Sequence, residues 1–159
     1  STITAQGIVW RGANAQFGLW IYPNGAPTRT IELNIKTGHY CRSIPTINAD
    51  TWYHLGVFYD YSLSGSARVR MYLNGLDVTG TVNIGGGGGG VNSSTADFFI
   101  GQNNFSGSPQ LFSGNIDEVA IWDEELSSAD ITAIYNNGIP TDLTNASSYD
   151  TDRTSKLQG

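Results

Sequence analysis

From Gly7 onward the chain repeats one pattern, a short run of alternating apolar and polar side chains followed by a cluster of turn-forming residues. In Gln16–Tyr22, Phe17, Leu19 and Ile21 share one face, while Trp20 and Tyr22 point to the other. In Thr30–Lys36, Ile31, Leu33 and Ile35 alternate with Thr30, Glu32, Asn34 and Lys36, the period of a half-buried strand. Gly7–Arg11, a short run through Tyr40 and Arg42, Ala67–Leu73, Leu76–Ile84 and Ala96–Gly101 read as further strands. Asn74-Gly75 between two such runs signals a tight hairpin, because both central residues of a type I′ turn need positive φ. Thr51–Tyr61 carries Leu55, Val57 and Tyr59 on one face and Trp52, His54 and Phe58 on the other, which predicts a central strand. Strands at this spacing make an all-β sandwich or barrel.

The pattern changes near the end. Phe112–Trp122 reads as the last strand. Ser127 then fits a helix N-cap, with Asp130 as the reciprocal acid of a capping box. Ile131, Ile134 and Tyr135 share one helical face, and Gly138 is expected to supply the left-handed stop. Gly85–Gly90 has no side chains to pack and is expected to be a surface loop. It lacks the lysine and the helix that a phosphate-binding loop needs.

Composition narrows the partners. With 14% charged residues and 39% hydrophobic ones, the 159-residue chain is suited to one packed core and not to disorder. Its net charge of −6, without a basic stripe, disfavours nucleic acid as a partner. No apolar run approaches a membrane span, so membrane insertion is not expected. Cys41 is the single cysteine, which excludes an internal disulfide and a Cys-based zinc site. The chain starts without an initiator Met or signal peptide and is expected to be an excerpt of a longer polypeptide.

The runs Thr51-Trp-Tyr-His-Leu-Gly-Val, Val69-Arg-Met-Tyr-Leu-Asn-Gly, Phe99-Ile-Gly-Gln and Phe112-Ser-Gly-Asn-Ile-Asp-Glu-Val-Ala-Ile-Trp resemble successive strands of a LamG-like domain. The stretch Leu126–Gly138 matches its closing helix. This is the laminin G-like branch of the concanavalin A-like lectin/glucanase superfamily. The resemblance implies two antiparallel sheets in a jelly-roll sandwich with one short C-terminal helix. It places the domain at residues 1–139, lacking the family's first strands, and leaves 140–159 as an irregular linker or arm to a further domain. It also implies a recognition module in an extracellular, cell-surface or virion-associated protein. Its expected partner is a glycan or cell-surface polysaccharide. The alternative is an architectural or decoration domain that contacts other chains of an assembly.

The residue candidates follow from that implication. Sugars are held by aromatic rings against their C–H faces and by amides on their hydroxyls. That points to Gln102, Asn103, Asn104 and Phe105 on one loop, and to Trp20 and Tyr22 among the strand-borne rings. In a two-sheet sandwich the competing reading of any such ring is core or cross-strand packing. The resemblance suggests that Asp117, in the last strand, helps to hold a structural Ca²⁺. Adjacent Glu118 would point to the opposite face of a regular strand. Asp60 is a second candidate ligand, with a turn-initiating Asp as the competing reading. Glycosidases of the superfamily carry a Glu-x-Asp-x-x-Glu-type acid set on one strand. Here Glu32 stands alone and Asp123-Glu124-Glu125 falls at a turn, so no catalytic residues are expected. His39, His54 and Cys41 read as structural. Sequons at Asn92, Asn104 and Asn145 are expected by chance in a chain this rich in Asn and Ser.

Overall fold

The computed structural model describes residues 4–12, 17–23, 28–36, 38–44, 46–84, 96–104, 108–122, 124–139 and 157–158. The expected glycine loop at 85–90, Phe105 and most of the 140–159 arm lie outside these residues.

The strands β1 (Gln6–Arg11), β2 (Phe17–Pro23), β3 (Arg29–Lys36) and β4 (His39–Ser43) form a meander. A second group, β5 (Leu55–Tyr59), β6 (Val69–Leu73) and β7 (Leu76–Asp77), forms a three-stranded sheet in that order. With β8 (Thr79–Asn83) and β9 (Phe98–Ile100), the meander becomes a six-stranded sheet ordered β8-β4-β3-β2-β1-β9. All pairings are antiparallel. The expected all-β architecture is therefore observed. The alternation in β2 and β3 sends Leu19, Ile21, Ile31, Leu33 and Ile35 inward, where they meet Val69, Met71 and Leu73 of the smaller sheet. Each such side chain contributes about 1.5–3 kcal/mol by leaving water.

Three strand expectations are corrected. Leu76–Ile84 is two strands, because the chain changes sheets at Val78. Val78 N donates to Met71 O (2.7 Å) in one sheet, while Val78 O accepts from Ile44 N (3.0 Å) beside the other. Thr51–Tyr61 shrinks to β5, which is an edge strand paired only with β6 among the described residues. Its apolar residues on both faces have another cause. The helix α1 (Ser128–Tyr135) covers the outer face, with Ile131 beside Gly56 and the Tyr135 ring 5.8 Å from that of His54. Phe112–Trp122 is not a continuous strand. Only its last two residues, in β12 (Ile121–Trp122), pair, with β13 (Leu157–Gln158). Glu118, at φ 51°, interrupts any regular ladder before that.

The tight hairpin at Asn74-Gly75 forms with both φ values positive. The capping box at Ser127 and Asp130 is complete, but the left-handed cap is Asn136 and not Gly138. A short 3-10 turn, Asn136–Gly138, follows. Asn tolerates the left-handed region better than other residues with a Cβ, so the helix stops at the first of the two asparagines.

Candidate functional site

The outer face of the six-stranded sheet is chemically unlike its inner face. Cross-strand partners set Trp20, Glu32 and Arg42 in one row across β2, β3 and β4. Tyr22 and Thr30 pair on one side of that row, and Asn34 and Tyr40 on the other. These are the polar positions of the alternating strands, so the same period that builds the core also builds this face.

The centre of the face is an ion pair held by aromatic rings. Glu32, 2% exposed, accepts from Trp20 Nε1 (2.9 Å) and Arg42 Nε (2.6 Å), one bond to each carboxylate oxygen. The Arg42 guanidinium lies over Tyr22 (4.0 Å to the ring centroid) and Tyr40 (4.4 Å). Burial opposes its charge, but the hydrogen bond and charge of Glu32, with smaller help from Tyr22 and Tyr40, outweigh it and hold its pKa above the usual arginine value. Trp20 packs on Tyr22 at 5.7 Å and on Trp10 at 6.0 Å. The Thr30 Oγ1 and Asn34 Oδ1 atoms on either side of the central row are buried and without a hydrogen-bond partner. Buried polar atoms in native proteins are nearly always satisfied by protein or by ordered water, so these two atoms, which have no protein partner, mark places that a water or a ligand hydroxyl would serve.

The residues expected from sequence fall in different places. Trp20 and Tyr22 lie on this face, Trp20 almost fully buried and Tyr22 half-buried. Gln102 and Asn103 form β10 (Gln102–Asn103), which pairs with β11 (Gln110–Leu111). The β10 backbone crosses Gly7, where a Cβ would stand 2.1 Å from Asn103 N. Gly7 is the cross-strand partner of Trp20, so β10 lies on the Trp20 side of the sheet. Asn103 is fully buried and donates from Nδ2 to Gln110 Oε1 (2.8 Å); it supports the hairpin and offers no amide to solvent. Gln102 and Asn104 are half-buried at its edge.

The candidate cation ligands are held by their own loops. Asp60 Oδ1 accepts from Ser62 N (2.7 Å), a side-chain turn that also holds its carboxyl below the usual range. Asp117 is exposed, and its Oδ1 accepts from Glu118 N (2.9 Å). Among the described residues no three His, Cys, Asp or Glu side chains gather as a group that could hold a metal ion. Glu118 does not alternate with Asp117 as in a regular strand, because its backbone is left-handed.

Sequence reasoning missed Arg42, Glu32, Thr30 and Asn34 as a group. Their alternation was visible, but their register was not. Lys36 pairs with His39, yet Asn34 pairs with Tyr40, so Ile35 is an extra residue in β3. Without this slip Glu32 would face Ser43 instead of Arg42.

No curated protein and no solved structure matches the chain. A protein family does match, over residues 2–132, and its description is the concanavalin A-like lectin/glucanases superfamily. Together with the antiparallel sheets and the one α-helix among the described residues, that match gives the fold as a jelly roll. The chain belongs to the laminin G-like family of the concanavalin A-like lectin/glucanases superfamily, which holds carbohydrate- and protein-binding modules as well as glucanases.

Proposed function

We propose that the chain is a non-catalytic carbohydrate-recognition module of a larger extracellular or virion-associated protein, and that it binds through the outer face of the six-stranded sheet. The observation that carries this reading is the pair of buried, unpartnered atoms, Thr30 Oγ1 and Asn34 Oδ1, flanking Arg42 between two tyrosine rings. An unsatisfied buried polar atom costs about 1–3 kcal/mol; a sugar hydroxyl can donate to Asn34 Oδ1, and can donate to or accept from the Thr30 hydroxyl. Tyr22 and Tyr40 add apolar ring surface for sugar C–H groups. The position of Gln102 and Asn104, on the Trp20 side of the sheet, supports a contact that extends towards that hairpin.

A binding role is favoured over hydrolysis because Glu32, the carboxylate at the centre of this face, already has both oxygens engaged. Glycoside hydrolysis needs two carboxyl groups free to move protons or attack. The reading uses no metal, so binding is expected to persist in EDTA. A glycan array with and without EDTA tests it, followed by titration of Tyr40→Ala against the best ligand. The expected result is EDTA-resistant binding weakened about tenfold by the substitution, with the melting temperature little changed. Absence of binding to any glycan overturns the reading.

A second reading has one observation of its own. Among the described residues β9 is an edge strand, with Phe98 and Ile100 exposed, and open edges of this kind accept a strand from another chain. It corresponds to an architectural contact, and strand-pairing crosslinks at β9 in the assembled protein distinguish it.

A further inference from the structure

β4 parts from β3 just beyond Arg42. The Ile31 amide donates to Ser43 Oγ (3.1 Å) instead of a main-chain carbonyl, and contact resumes only where Ile47 N donates to Arg29 O (2.9 Å). On its other side β4 slips against β8 between Cys41 and Ser43. Gly80 permits the slip, because a Cβ there would stand 2.4 Å from Arg42 O. The parted strands leave an open, shallow pocket of about 490 Å³, within the volume range of small-molecule sites. Thr28, Thr30, Arg42, Thr46 and Thr81 line it, with exposed Ile44 at the rim.

Its chemistry is specific. Arg42 is the one charged side chain among the lining residues, so the pocket presents hydroxyls and a single cation. Glu32 takes only the Nε of that guanidinium, and among the described residues its terminal nitrogens have no acceptor. Tyr22 and Tyr40 occupy the space over the guanidinium, which favours approach along its edge. A planar two-oxygen anion matches that edge in a way that a single point of charge does not. Thr30, 4% exposed, adds a buried hydroxyl with no partner. The net charge of −6 opposes diffuse adhesion of a polyanion, so any acidic ligand must be captured locally.

Resting on the glycan-binding reading, we infer that this pocket is its specificity subsite and takes a uronic-acid residue. The sugar carboxylate pairs with the terminal nitrogens of Arg42, and a sugar hydroxyl bonds to Thr30 Oγ1.

The test compares trigalacturonate, its fully methyl-esterified form and a neutral trigalactoside by calorimetric titration with the full chain. The expected result is trigalacturonate binding at least tenfold tighter than both others, since esterification removes the charge and keeps the hydroxyls. Thr30→Val serves as the second variant, because it removes a hydroxyl that has no protein partner. It is expected to weaken trigalacturonate about fivefold or more while leaving the melting temperature equal or higher. Equal binding of all three sugars overturns the acidic subsite and leaves the wider surface reading standing. Preference for a sulfated galactoside over trigalacturonate also overturns it. An unchanged affinity in Thr30→Val rejects the pocket as the place of binding. Binding of no sugar at all refutes both readings together.

Discussion

Replacing Glu32 with Gln tests whether the centre of the outer face is a coupled unit. The side chain is 2% exposed, and its two oxygens serve two different donors. Gln keeps one acceptor oxygen but turns an NH2 towards the other donor, so either Trp20 Nε1 or Arg42 Nε faces a second donor. Removing one partner of a fully buried pair costs about 3–5 kcal/mol. Arg42 keeps 24% of its side-chain surface exposed and stays stacked on two rings, so water recovers part of that loss. The expected cost is about 2–3 kcal/mol, or roughly 4–12 °C in melting temperature for a domain of this size. Urea denaturation followed by tryptophan fluorescence gives the free energy. A double-mutant cycle with Arg42→Met then isolates the pair, since the introduced amide can serve Trp20 alone once the guanidinium is gone. The double variant is expected to recover at least about 1.5 kcal/mol relative to the sum of the singles. A Glu32→Gln cost below about 0.5 kcal/mol, or additivity within that margin, refutes the coupled unit.

Three other outcomes follow from the fold. His54 is half-buried against Tyr135, its Nδ1 has no partner, and burial holds its pKa below the ordinary 6.5. The unfolded chain therefore binds the proton first as pH falls. Stability is expected to drop as pH is lowered through 6.5 towards the folded pKa and then to level off, and His54→Phe should flatten that part of a urea-midpoint profile. Cys41 is fully buried, and burial pushes its thiol up to about 11; a thiol reagent should modify it only at the rate of unfolding, and rapid modification in native buffer would contradict the packing. Ser127→Ala removes the acceptor for Asp130 N and breaks the capping box, with an expected loss of about 1 kcal/mol in urea denaturation.

The parts of the fold that could be read from sequence are those whose two faces differ in chemistry. β2 and β3 place Leu19, Ile21, Ile31 and Leu33 on one side and Trp20, Tyr22, Glu32 and Asn34 on the other, so the period alone assigns both faces. β5 misled because its second apolar face is covered by α1, and no local pattern separates a covering helix from a neighbouring strand. The break at Val78 was hidden for a similar reason: neither Asp77 nor Gly80 in Leu76–Ile84 marks Val78 as the switch, and only the packing of two sheets decides where the chain changes partner. At Phe112–Trp122 the composition suits a strand, but Glu118 adopts a backbone that its residue type does not announce.

The site was legible as a set of side chains and not as an arrangement. Trp20 and Tyr22 could be placed opposite the core by counting, and Asn103 could be suspected for its chemistry, yet burial turned Asn103 into a support for its own hairpin. What makes the outer face more than a row of polar residues is one extra residue, Ile35, which moves Arg42 opposite Glu32. A buried ion pair contributes little to stability compared with apolar packing of the same volume, so the core gains nothing from having this one on its far side. The match of the chain to its superfamily accounts for the sandwich, but a fold shared by lectins and glucanases does not choose between them. The proposal of a binding module rests instead on local features of this chain, the slip in β3 that sets Arg42 opposite Glu32 and the parting of β4 that brings Arg42 and Thr30 to one pocket.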